Sequence, residues 1–171
     1  MDEKFEKALE DVDELIRLHP EDGFYYFVKG TVIFHSGTSL RDALSMFEYS
    51  LRLKPSLVEN TMFMGYCRLC IGGYNEAIEL LNGYVEQKGD DSTAYVMLAL
   101  CFTVLKDRTK AQELLEKAVT LMPGLTAETV RQQLDEMVFN QKEMPPKVRG
   151  ALASAASELM GIFGLVAKEV R

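Results

Sequence analysis

Cys67-Arg68-Leu69-Cys70 is the one run in this chain with the spacing of a zinc half-site or a redox pair. A zinc site needs a second pair or a histidine motif, and the sequence has neither. The pair also sits well inside a helical stretch, away from the helix N-terminus that would stabilise a thiolate. The two histidines are isolated: His19 precedes Pro20 at a helix end, where a cation suits the dipole, and His35 borders a turn. The phosphate loop G-x-x-x-x-G-K-[ST], G-x-G-x-x-G, H-E-x-x-H and G-x-S-x-G are all missing. Charge runs such as Glu113, Glu116 and Lys117 read as solvated helix faces rather than carboxylate pairs. The expectation is a protein without catalytic residues, metal or cofactor.

The elements that carry these residues follow from composition and repetition. The chain has 171 residues, 47% hydrophobic and 26% charged, which is ordinary for a globular fold. Nineteen Lys and Arg against 26 Asp and Glu leave a net charge of −7, the wrong sign for nucleic acid or an anionic membrane surface. Three cysteines without a pairing pattern, and a polar start (Met1-Asp2-Glu3-Lys4), point to a reducing cytoplasm. Pro20, Pro55, Gly89 and Pro123 recur at intervals of 35, 34 and 34 residues, each twelve residues after an alanine (Ala8, Ala43, Ala77, Ala111). Large apolar residues at helical spacing lie between, and Gly30, Gly65 and Ala99 share one register upstream. A small residue there lets two antiparallel helices approach closely. Loop signals at Ser36-Gly37-Thr38, Gly72-Gly73 and Lys106-Asp107-Arg108 divide each unit into two helices.

This pattern resembles the tetratricopeptide repeat (TPR). Residues 92–125 carry Tyr95, Leu98, Ala99, Phe102, Ala111, Leu115, Ala118 and Pro123 at the family's signature positions. Residues 58–91 match through Met64-Gly65, Gly72, Tyr74, Glu76-Ala77 and Tyr84, departing at Arg68 and Gly89. Residues 23–57 match through Tyr26, Gly30, Ala43, Phe47 and Pro55, with one extra turn residue. Residues 1–22 match only a second helix, through Phe5, Ala8, Val12, Leu15 and Pro20. The resemblance implies an all-α, right-handed helical-repeat solenoid of about three and a half TPR units. Residues 126–144 read as a capping helix with a stripe of Val130, Leu134, Met137 and Val138, and residues 145–171 as a diproline hinge and a C-terminal amphipathic helix.

In the TPR family the first helices of successive units line a concave groove that holds partner peptides. The resemblance implies a lining of Phe24, Phe27, Thr31 and Phe34, then Met62, Tyr66 and Leu69, then Val96, Leu100 and Thr103. The Lys, Arg and Asn residues with which some members clamp an acidic C-terminus are absent there. An apolar, Met- and aromatic-lined groove suits an amphipathic helix or an extended apolar segment. Cys67 and Cys101 share a register where the family places small residues, so they read as core; the same reading leaves Cys70 open to the groove.

The last segment supplies one such helix. Leu152, Ala156, Leu159, Phe163, Val166 and Val170 recur at steps of 4, 3, 4, 3 and 4, a stripe of period 3.5. Lys147, Arg149, Lys168 and Arg171 against Glu158 and Glu169 give this segment +2, leaving −9 for the preceding residues. It is expected to dock on the body in cis, on a second copy, or on another protein. From Gly150 to Ala167 only Glu158 is charged, so a membrane contact is conceivable through residues 147–171 alone, although the stretch falls short of the ~20 residues of a spanning helix. Function is expected as a non-catalytic scaffold or chaperone-like adaptor that binds an apolar or amphipathic segment in its concave groove, which its own C-terminal helix can occlude, similar to the small TPR chaperones of bacterial secretion systems. The alternatives are a self-associating assembly protein, for which a homodimer through the terminal helices is the simplest form, and a membrane-tethered adaptor.

Overall fold

Helix boundaries fall where the sequence supplies acceptors for the unpaired N–H groups of a first turn. Asp22, Ser39, Asp91, Asp107 and Thr126 each accept a hydrogen bond from a backbone N–H two or three residues on, at 2.9–3.2 Å. The computed structural model describes residues 3–89 and 91–169, without the side chains of 168 and 169. Nine α-helices and no strand occur among the described residues. They are α1 (Glu3–Leu18), α2 (Gly23–Ser36), α3 (Leu40–Leu53), α4 (Glu59–Ile71), α5 (Tyr74–Lys88), α6 (Ser92–Val104), α7 (Arg108–Leu121), α8 (Ala127–Leu134) and α9 (Pro146–Glu169). A single π-turn, Asp135–Phe139, continues α8.

The fold is an all-α helical-repeat solenoid. Helices α2/α3, α4/α5 and α6/α7 form three successive hairpins, and α1 packs on α2 as an unpaired second helix. The small residues do what their register requires: a Cβ on Gly30 would lie 2.7 Å from the Phe47 ring, and one on Gly65 would lie 2.9 Å from Leu81. The first two hairpins turn through glycines in the left-handed region (Gly37 at φ 65°, Gly72 at φ 91°), while the third uses Lys106 at φ 66°. A buried polar chain ties the first two units together. Ser50 Oγ donates to the Gly23 carbonyl at 2.6 Å, and Asn60 Nδ2 donates to Ser50 Oγ at 3.0 Å.

Residues 126–144 depart from the expected single capping helix. The α-helix stops at Leu134, a π-turn follows, and the chain runs back along the stack toward the tip of the first hairpin. There Lys142 N–H donates to the Gly37 carbonyl at 2.9 Å and Gln141 Nε2 to the Phe34 carbonyl at 3.1 Å. Val130, Leu134 and Val138 form the buried stripe, with Met137 only half-buried, because the π-turn shifts the register by one residue. Pro145 then ends the crossing and Pro146 opens α9 at its first position, where a missing N–H costs nothing.

Candidate functional site

The ten residues expected to line the groove fall into two groups. Phe34, Tyr66, Leu69, Val96, Leu100 and Thr103 are all buried. Phe27, Thr31 and Met62 are half-buried, and Phe24 is 43% exposed. Six of the ten are therefore out of reach of any partner in this state. The physical reason is the chain itself. Segment 127–166 folds back over the face, with the π-turn against α4 and α9 most extensively against α6 and then α7.

Helix α6 shows how complete that cover is. Every residue from Ala94 to Cys101 is buried, as expected of a helix apolar on all sides. On α9, Leu152, Ala156, Leu159, Phe163 and Val166 are buried, joined by Ala155 and Ile162; Val170 lies outside the described residues. Glu158 accepts an ion pair from Lys106 Nζ at 3.2 Å. Residues 146–167 form a helix long and apolar enough to cross a membrane by length and composition, because the helix begins four residues before Gly150. Its buried stripe nevertheless packs on protein.

The α2 end is different. Phe24 and Phe27 lie with ring centroids 6.3 Å apart, and Phe27 meets Phe63 edge-on at 5.7 Å. Lys54 Nζ stands 5.8 Å over the Phe24 ring. The Thr31 hydroxyl donates to the Phe27 carbonyl at 2.9 Å, so the patch offers rings and aliphatic carbon rather than free hydrogen-bonding groups. Phe63 was missed in the sequence reading, although it touches Phe27, Phe34, Phe47 and Tyr66 and is the hub of this aromatic cluster. Its only signal was its place one residue after Met62. A second opening, about 370 Å³, lies between α8, the π-turn and α9, with Leu134, Phe139, Ala156 and Met160 in its wall.

The three thiols are free and buried. Burial pushes Cys67 and Cys101 up to about 12 and Cys70 well above its ordinary range. Cys70 does face the groove side, where its Sγ lies 3.6 Å from the Met137 carbonyl of the π-turn. No group of three potential metal ligands occurs among the described residues. His35 rests against Phe34 and Phe63, and burial lowers its pKa against a weaker opposing pull from Glu136.

No family model and no curated protein matches the sequence. Solved structures do resemble it. A crystal structure of MamA aligns with a TM-score of 0.65 at 17% identity, covering 96% of this chain and 91% of that one. A MamA structure described as 41-end, from Desulfovibrio magneticus RS-1, aligns with a TM-score of 0.66 at 23% identity, covering 92% and 85%. The MamA RS-1 ArsTM double mutant gives a TM-score of 0.66 at 23% identity over 92% and 84%. Coverage of 92–96% of this chain and 84–91% of those shows a shared helical fold over most of the length; at these identities the likeness extends no further.

Proposed function

We propose that this chain is a non-catalytic, TPR-type protein-interaction module that binds an apolar or amphipathic segment of another protein at the α2 end of its groove. The observation that carries the reading is the exposure of Phe24 beside half-buried Phe27, Thr31 and Met62, on the part of the face that the chain's own C-terminal segment leaves uncovered. An aromatic patch with Met at its edge accommodates varied apolar side chains, and aromatic rings dominate binding energy at such sites. The repeat pattern and the likeness of fold support the interaction role. The kinship with secretion-system chaperones rests on size, acidity and an apolar groove. The test is titration of a fluorescent 18-residue Leu/Lys amphipathic helix into the full chain. Saturable binding that Phe24→Glu weakens at least about tenfold, with thermal unfolding little changed, is expected; no binding, or binding indifferent to Phe24, contradicts the reading.

Self-association is favoured by one separate observation. Seven residues after the signature alanine, Ser50, Tyr84 and Ala118 are buried, but Leu15 at the same register of α1 is 39% exposed. Helix α1 thus leaves open the face that a first helix covers in every other unit. Light scattering across concentration decides: a strict monomer rejects it. Loss of liposome co-flotation on cutting the chain after Pro146 would instead favour tethering through α9.

A further inference from the structure

The crossing segment between α8 and α9 is fastened by few bonds, and one side chain makes two of them. Arg149 Nη1 donates to the Phe139 carbonyl at 2.9 Å and Nη2 to the Gln141 carbonyl at 2.5 Å. Gln141 in turn holds the Phe34 carbonyl, and Asn140 presses its carbonyl against Gly37, where a Cβ would approach to 2.5 Å. Arg149 therefore ties the start of α9 to the segment that crosses the tip of the first hairpin. A planar guanidinium suits this task because it presents parallel N–H groups to two acceptors at once.

The same segment carries the marks of a marginal fit. It leaves α-geometry for a π-turn at Asp135–Phe139, a rare form that recurs at sites of conformational work. Gln133 Oε1 and Gln141 Oε1 are buried without a partner in the protein, as is the Tyr66 hydroxyl on the groove helix α4. An unpaired buried carbonyl is unfavourable while the segment is closed, and opening returns that of Gln141 to water. Of the four such atoms among the described residues, Asn60 Oδ1 included, Gln141 Oε1 lies on the crossing segment itself and Gln133 Oε1 on α8 just before it.

We propose that residues 135–149 are a clasp that opens without global unfolding, with Arg149 as its fastening, so that the chain's own segment regulates access to the covered part of the groove. The purpose rests on the binding function proposed above; the opening does not, and it is measured with no partner present. Cys70 is the reporter, because its thiol faces the Met137 carbonyl of the π-turn, whereas Cys67 and Cys101 occupy the matching interior register of adjacent units.

The full chain is exposed to N-ethylmaleimide under native conditions, digested with trypsin and mapped. Cleavage at Arg68, Lys88 and Lys106 puts the three thiols on three separate peptides. Cys70 is expected to react at least about tenfold faster than Cys67 and Cys101. Arg149→Met raises the Cys70 rate roughly tenfold or more while leaving the other two unchanged, and Arg149→Lys falls between, since one ammonium cannot bridge both carbonyls as the fork does. A common rate for all three thiols overturns the clasp. Fast Cys70 labelling indifferent to Arg149→Met overturns the assignment of its fastening. Should the Arg149 variants fail to fold, amide exchange on the unaltered chain decides: the Lys142 amide must exchange well before those of Leu98 to Cys101, and equal protection refutes opening. A clasp that opens in a protein that binds no amphipathic helix would refute the binding function alone.

Discussion

The two ends of one helical face have opposite fates. At the α6 end, Val96, Leu100 and Thr103 are wholly buried beneath α9 and its approach; at the α2 end, Phe24 projects into solvent beside Phe27 and Met62. Both helices occupy the same position in their repeats and both are apolar on the face in question. What separates them is reach. The returning segment crosses the C-terminal tips of α2 and α4, at Gly37 and Gly72, and then follows α6, never covering the first turns of α2. A repeat face is therefore a place where cover can be supplied in cis, and this chain supplies it over part of the length.

Substitutions at the two ends should differ most in stability. Leu100→Ala is expected to cost about 2–5 kcal/mol, because it leaves a cavity in a fully packed site. Phe24→Ala, at the open end, should stay within about 1 kcal/mol and act instead on binding. Urea unfolding measures both, and equal losses would erase the distinction between the ends. Glycines sharpen the contrast at a second level. Gly30→Ala forces a methyl into the Phe47 ring and should destabilise by about 1–3 kcal/mol. Gly161→Ala, on the outer face of α9 with nothing within 4 Å of the added carbon, should stabilise by up to about 1 kcal/mol. A loss at Gly161 in the monomer would mean that another surface lies against α9.

Smaller effects follow. Lys106→Ala removes an exposed ion pair to Glu158 and should cost no more than about 1 kcal/mol, less in high salt. The smallest is a pH dependence at His35. Burial lowers its pKa from the ordinary 6.5, so the unfolded chain takes up a proton first as the pH falls. Its contribution is complete above about pH 6.5 and drains away as the pH drops toward the folded-state value; His35→Gln should flatten that part of a stability profile. An unchanged slope would mean that the ring is solvated.

The repeat was legible because each unit repeats the same physical demands: a small residue at the helix crossing, an alanine at the buried turn, a breaker at the end. The period-3.5 stripe on α9 was equally plain. The return path was not. Nothing in the spacing of Val130, Leu134 and Val138 says that the helix would slip into a π-turn at Asp135, since the slip is set by the tertiary bonds that Gln141 and Lys142 make to the first hairpin. Arg149 counted only as a positive charge, although its partners are carbonyls and no carboxylate. Local pattern reports which faces are apolar; which element covers which face depends on contacts more than a hundred residues apart, such as Gln141 with Phe34.

Methyl-to-methyl nuclear Overhauser effects between α6 and α9 test the central claim most directly. In a full-length sample, cross-peaks linking Val96 and Leu100 to the Leu152, Leu159 and Val166 side of α9 should appear, and they should vanish from isotope-filtered mixtures of labelled and unlabelled chains. Methyls of α9 that show no contact with α6, or contacts seen only between different molecules, would contradict a groove filled by its own chain.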